Sequence, residues 1–164
     1  MPRVPFESLP DSARVWVFAS DRPLTDARAE RLLMEVEGYL NQWQAHGRPL
    51  RSGADWRENR FLTVGVDQSE AHASGCSIDG LHRTLRTLEP VLGTELLNHG
   101  HVFYRAANGE VAVAARDEFA ALAAAGAVHD RTPVFDTTVT TLGDWRARFE
   151  TELKKSWHKR LLTE

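Results

Sequence analysis

Apolar residues follow a helical template twice in the first half of the chain. Ala29, Leu32, Leu33, Val36, Leu40 and Trp43 predict a long helix from Thr25, its N-cap, to about His46. Gly47 stands where a C′ residue belongs, and Pro49 prevents continuation. Ile78, Leu81, Leu85 and Leu88 alternate spacings of three and four, which gives a second helix with one buried stripe. Its expected start has Ser77 as N-cap, Ile78 as first helical residue and Asp79 in the first turn. Pro90 predicts a break or kink at Glu89, or opens a short continuation through Leu96-Leu97. Before the first helix and between the two, the period changes. Arg14–Ala19 is β-branched and aromatic, apolar on both faces, and reads as a central strand. Leu50–Trp56 and Arg60–Asp67 read as a hairpin turning at Glu58-Asn59.

That order is strand, helix, strand, strand, helix, an α/β (α+β) pattern. His101–Arg105 then closes a βαββαβ ferredoxin-like sandwich; the alternative is a mixed sheet with the first strand at its centre. The rest reads as a small β-β-α-β unit with a C-terminal helix. Ala107-Asn108-Gly109 is a tight turn before Val111–Val113, and Asp117–Ala125 is an alanine-rich helix stopped by Gly126. Thr132–Asp136 is a short strand, and Thr141 with Asp144 resembles a capping box. Trp145, Phe149, Leu153, Trp157 and Leu161 place one stripe on a final helix. The expected division is 1–98 and 99–164, with one continuous domain as the alternative.

Composition narrows the class. At 164 residues the chain suits one domain, or one domain and a small module. Such a length buries roughly 70% of its extended surface without staples. One cysteine excludes an internal disulfide and suits a reducing cytoplasm. Met1–Glu7 has no apolar run, so no signal peptide is expected, and no stretch is apolar enough to span a bilayer. A net charge of −3 argues against non-specific nucleic-acid binding. A basic C-terminal stretch carries Arg146, Arg148, Lys154, Lys155, His158, Lys159 and Arg160, which with Trp145 and Trp157 reads as a nucleic-acid or acidic-partner face, or as a solvated side with the tryptophans packed inward.

The candidate chemistry gathers at Ala73-Ser74-Gly75-Cys76-Ser77-Ile78-Asp79, after a strand and at a helix start. Free N–H groups and the helix dipole favour an anion and a thiolate there. The catalytic candidates are Cys76 as nucleophile with His82 or His72 as base. The ligand-binding candidates are Arg60, Asp67, Ser74, Gly75, Ser77 and Asp79, opposite the bland reading of Cys76 as a small packing residue. His72, His99 and His101 are weak metal candidates. No cofactor is expected, with zinc left open, because neither C-x-x-C nor H-x-x-x-H spacing occurs.

His46-Gly47, Asn59-Arg60-Phe61-Leu62, Val66-Asp67, Ser74–Asp79 and Ser156-Trp157-His158 give the chain a resemblance to a family of uncharacterised small bacterial proteins. Its members are sometimes labelled ATPases of ABC transporters. No G-x-x-x-x-G-K-(S/T) loop is present, so the resemblance implies no ATPase activity. Residues from about His101 to Trp157 resemble GYF-like modules, through an aromatic strand, Asn108-Gly109, Ala125-Gly126, Asp130, Thr132, Val134 and Trp145. The Gly-Tyr-Phe signature itself is absent. The expected function is a soluble cytoplasmic binding or accessory module with its site at the 67–79 loop, taking a protein or a small anionic ligand. The alternatives are a cysteine-dependent enzyme or redox protein using Cys76, and a protein-interaction module through residues 100–164.

Overall fold

The computed structural model describes residues 3–45, 47–69, 73, 75–97 and 100–162, with the side chains at 75 and 76 outside that description. The chain forms mixed α and β structure in two units: Met1–Leu97 with Thr138–Ala147, and Asn98–Thr137 with Arg148–Glu164.

In the first unit, strand β1 (Arg14–Ala19) leads to helix α1 (Asp26–Asn41), and the two-residue strands β2 (Gln44–Ala45) and β3 (Arg48–Pro49) follow. Strands β4 (Arg51–Arg57) and β5 (Phe61–Asp67) form the expected hairpin, and helix α2 spans Gly75–Leu92. Glu58 and Asn59 both have positive φ, 58° and 55°, and with Arg60 they form the turn between the paired Arg57 and Phe61. The sheet order is β1-β5-β4, antiparallel throughout. The central strand is therefore β5, and the expectation of a central β1 is corrected. Every side chain from Phe61 to Val66 is buried.

β1 is apolar on both faces because the sheet is covered on both. Leu62, Val64 and Val66 face a core built from Leu32, Val36 and Leu40 of α1 and Leu81, Leu85 and Leu88 of α2. The other face carries Val15, Val17, Thr63 and Gly65, paired across β1 and β5. Phe6, Leu9 and Trp145 cover it. The Phe6 and Trp145 rings meet edge-on at 5.1 Å, and the Trp145 indole N–H donates to Thr63 Oγ1 at 3.0 Å. Trp145 belongs to the returning stretch, which is tied to the start of the chain by backbone bonds from Val15 to Thr140, from Leu142 to Ala13 and from Gly143 to Asp11.

Three boundaries differ from expectation. α1 ends at Asn41, because Trp43 turns into the core and the chain reverses through β2 and β3. Gly47, at φ +77°, serves that reversal and is not the C′ residue of α1. α2 starts before Ser77, so Ser77 lies within its first turn and is not its N-cap. α2 also runs through Pro90 without a break and stops at Leu92, before Gly93 at φ +69°. The missing proline N–H falls in the last turn, on an exposed position.

In the second unit β6 (His101–Arg105), β7 (Val111–Ala115), α3 (Arg116–Ala124) and β8 (Pro133–Phe135) appear in the expected β-β-α-β order. The chain then returns to the first unit for helix α4 (Leu142–Arg148), and the second unit resumes with strand β9 (Glu150–Glu152) and 3-10 turns at Leu153–Lys155 and Trp157–Leu162. The sheet order is β7-β6-β8-β9. β6 therefore closes no βαββαβ sandwich with the first unit; its partners are β7 and β8. α3 ends in a Schellman motif, with Gly126 at φ +78° and bonds from Ala127 to Leu122 and from Gly126 to Ala123.

The single C-terminal helix is also corrected. Its proposed stripe repeats every four residues from Trp145 to Leu161. On an α-helix each such step drifts about 40°, so the stripe winds off one face within a few turns. The chain instead leaves α4 at Arg148 and pairs Glu150–Glu152 with β8. Its basic residues are largely engaged: Arg146 with Asp11 at 2.6 Å, Arg148 with Asp136 at 2.5 Å, and Lys155 with Glu152 at 3.4 Å. Among the described residues, no helix is long and apolar enough to cross a membrane.

Gly53 and Gly38 give opposite predictions. A Cβ on Gly53 would lie 2.7 Å from the Val4 carbonyl oxygen, whose chain is bonded to β4 through Val4 N–H and Ser52 O. Gly53→Ala should cost about 1–3 kcal/mol in urea unfolding. Gly38 in α1 has nothing within 4 Å, so Gly38→Ala should stabilise by roughly 0.5–1 kcal/mol.

Candidate functional site

α1 and α2 bury one stripe each against the sheet, and the faces beside those stripes leave a groove between the helices. Its volume is about 1010 Å³. The lining combines Tyr39, Trp43, Leu88 and Val91 with the small or short side of α2 at Gly80, Thr84 and Thr87. Val91 is 56% exposed, one of two large apolar side chains left in solvent among the described residues. Arg31, Glu35, Arg83, Gln42 and Gln44 form the polar rim.

Gly80 is what lets the helices meet. A Cβ there would collide with the Tyr39 hydroxyl. Without it, the Tyr39 hydroxyl crosses α2 and donates to the Ser77 carbonyl at 2.8 Å, and the Trp43 indole N–H donates to the same oxygen at 3.0 Å. Burial raises the Tyr39 pKa, against the opposing pull of Arg83 and Trp43, so the phenol stays neutral and acts as a donor. Trp16 and Tyr39 flank Trp43 at 6.2 and 5.7 Å between ring centroids. Thr84 and Thr87 donate their hydroxyls back to the Gly80 and Arg83 carbonyls, which turns hydroxyl polarity away from a ligand. Arg31 and Glu35 pair at 3.2 Å on the exposed rim, where such a pair contributes little stability. The floor is thus apolar and its polar atoms are mostly committed.

The residues proposed around Cys76 do not gather into one site. Arg60 sits at the start of β5 and Asp67 at its end, about 20 Å apart along the strand. Arg60 donates to the carbonyls of Ser20 and Asp21, at 3.3 and 3.0 Å, and so holds the β1–α1 loop. Burial lowers its pKa and Asp21 opposes that. Asp67 accepts the Ser69 amide at 3.0 Å, which lowers its pKa, and Arg51 adds a smaller pull. Ser77 is buried and lends its carbonyl to the groove, while Asp79 is exposed on α2. Gly75 and Cys76 open α2. His82 lies about 9 Å further along the helix axis from Cys76 and packs edge-on against Phe18 at 5.6 Å. His72, Ser74 and His99 lie outside the described residues. His101 starts β6 in the second unit, its ring edge-on to Phe103 at 6.3 Å. Among the described residues, no group of three or more His, Cys, Asp or Glu side chains is placed to hold a metal.

Another cluster escaped the sequence reading. In the second unit His158 is 2% exposed, hydrogen-bonded through Nδ1 to Ser156 Oγ and stacked on Trp157 at 4.0 Å. Asp136 is also buried, and pairs with Arg148. A serine, a histidine and an aspartate thus share one core. All three are sealed from solvent, so the cluster has no nucleophile that a substrate can reach. A buried polar pair two residues apart in sequence has no local signature that separates it from a surface Ser-x-His.

Burial pushes the His158 pKa down to about 4, with Asp136 opposing and Arg116 adding. The unfolded imidazole takes up a proton near pH 6.5 and the native one does not. Stability is therefore full above pH 6.5 and falls by about 3 kcal/mol as pH drops to 4. Urea midpoints at pH 7 and pH 4 should show this loss, and His158→Gln should remove that part of the pH dependence.

Comparison with protein-family models, with curated proteins and with solved structures gives no match, so a functional reading rests on this geometry.

Proposed function

We propose that the chain is a binding or accessory module whose ligand lies in the groove between α1 and α2. One observation carries this reading: an open groove of about 1010 Å³ with an aromatic and aliphatic floor, reaching the start of α2 at Ser77. That end of the groove adjoins the 67–79 segment on which the sequence reading centred. Concave, mostly apolar sites with a few polar groups are where ligands bind. Arg83 on the rim, beside the Arg31–Glu35 pair, favours an apolar ligand carrying an anionic group, from a small molecule or from a protein segment. The resemblance to small bacterial proteins and a cytoplasmic location, argued from the one cysteine, belong to the same reading.

Anilinonaphthalene sulfonate has the required chemistry, an aromatic body with one negative charge. Titrated into the native protein, it should give a saturable fluorescence increase. Val91→Glu alters an exposed position and leaves the core intact. It should weaken dye binding by about tenfold, a change of about 1.4 kcal/mol. Unchanged affinity in that variant, with unchanged circular dichroism, would place the dye elsewhere and overturn the assignment of the groove.

A further inference from the structure

The groove between α1 and α2 has a length and a wall chemistry that narrow what can fill it. Tyr39, near the end of α1, bonds Ser77 in the first turn of α2, and Arg31, two turns earlier, lines the same groove as Leu88 and Val91. The two helices therefore run antiparallel, and the groove follows both. From Ser77 to Val91 it extends along about four turns of α2, roughly 21 Å. Gly80, Thr84 and Thr87 keep the α2 wall low, which lets another helix approach to the ordinary packing distance. Leu88 and Val91 continue that wall in aliphatic form, and Tyr39 and Trp43 make the other end aromatic.

The walls offer few hydrogen bonds. The Tyr39 hydroxyl and the Trp43 indole N–H both donate to the Ser77 carbonyl, and the Thr84 and Thr87 hydroxyls donate to carbonyls of their own helix. An extended peptide laid here would hold backbone N–H and C=O groups against apolar side chains without partners. A helix satisfies its own backbone. A compact small molecule would be covered on one side only, because the groove is open along its length. Charge adds one requirement. Arg31 on the rim pairs with Glu35 at 3.2 Å, whereas among the described residues no carboxylate pairs with Arg83, which is exposed on α2.

We propose that an amphipathic helix of a partner protein lies in this groove, an assignment that rests on the groove being the binding site and names its occupant. Apolar residues spaced three and four apart seat the helix, over Tyr39 and Trp43 at one end and over Leu88 and Val91 at the other. An acidic residue at the border of that stripe meets Arg83. Arg83 stands about 12 Å along the α2 axis from Val91, so the acid falls about two turns from the apolar residue that covers Val91.

The probe is a synthetic peptide of about sixteen residues, long enough to follow the groove. It carries leucines three and four apart on one face, one glutamate bordering them, and alanine and glutamine elsewhere. Such a peptide is only marginally helical alone, so binding to the full chain should raise its helicity in circular dichroism and displace anilinonaphthalene sulfonate. In calorimetry, replacing the peptide glutamate by lysine should weaken binding about tenfold, as should Arg83→Glu in the protein, and the two reversals together should restore it. A peptide with proline at its centre should not bind. Dye that responds to Val91→Glu but is not displaced by the parent peptide would overturn the helix as occupant and leave the groove as a ligand site. Equal binding of the proline peptide, or indifference to the charge reversals, would overturn it too. So would a dimer of the free chain in sedimentation velocity that Val91→Glu abolishes, since the groove would then belong to a second copy. Dye binding indifferent to Val91→Glu would remove the groove itself, and the helix with it.

Discussion

The fold of the first unit depends on one constraint, which is that β5 is buried on both faces. A strand with every side chain from Phe61 to Val66 inside needs a layer above and a layer below. α1 and α2 supply one, through their leucine stripes. No third helix from the same stretch is available for the other. Phe6 and Leu9 come from the arm before β1, and Trp145 comes from far along the chain to finish the cover. Thr63 and Gly65 fit that layer: the threonine hydroxyl accepts the indole N–H, and the glycine leaves space where a Cβ would lie 2.9 Å from Leu9. The division of the chain into two units, with residues 138–147 returning to the first, follows from this need.

The same packing decides what was legible in the sequence. The α2 stripe, the hairpin at Glu58-Asn59 and the stop at Gly126 rest on local geometry, and each stands where the residues put it. The end of α1 was not legible because Trp43 fits a helical stripe equally well as a residue folded back into the core. β1 reads as central because burial on both faces resembles pairing on both edges, and the cover over its second face is nonlocal. The final helix failed for a reason already present in the spacing, since a strict repeat of four drifts around a helix.

The candidate site shows the same limit more sharply. Cys76 drew attention by its rarity and by its place near a helix start, both one-dimensional features. The groove is made by two helices meeting side by side, and its key residue is a glycine whose role appears only when Tyr39 is across from it. Arg60 and Asp67 were close in sequence to the same loop, yet a strand holds them at opposite ends. Most polar atoms near the groove already serve the structure: Tyr39 and Trp43 share the Ser77 carbonyl, and the threonines bond to their own helix. The surface left over in the groove is apolar and bordered by charge.

The position of Trp145 has a consequence for how the protein is made. Synthesis runs from the N-terminus, and Thr63 waits 82 residues for the indole that satisfies its hydroxyl. While the chain emerges, both helices can settle on one side of the sheet, but the other side stays partly bare until residue 145 has left the ribosome. The intervening stretch, Asn98–Thr137, must all be translated first. During that interval Phe6, Leu9, Val15 and Val17 form an unfinished apolar surface on a nascent chain, open to chaperones and to aggregation alike. The first unit to be translated is thus unable to complete its core before much of the second has been synthesised.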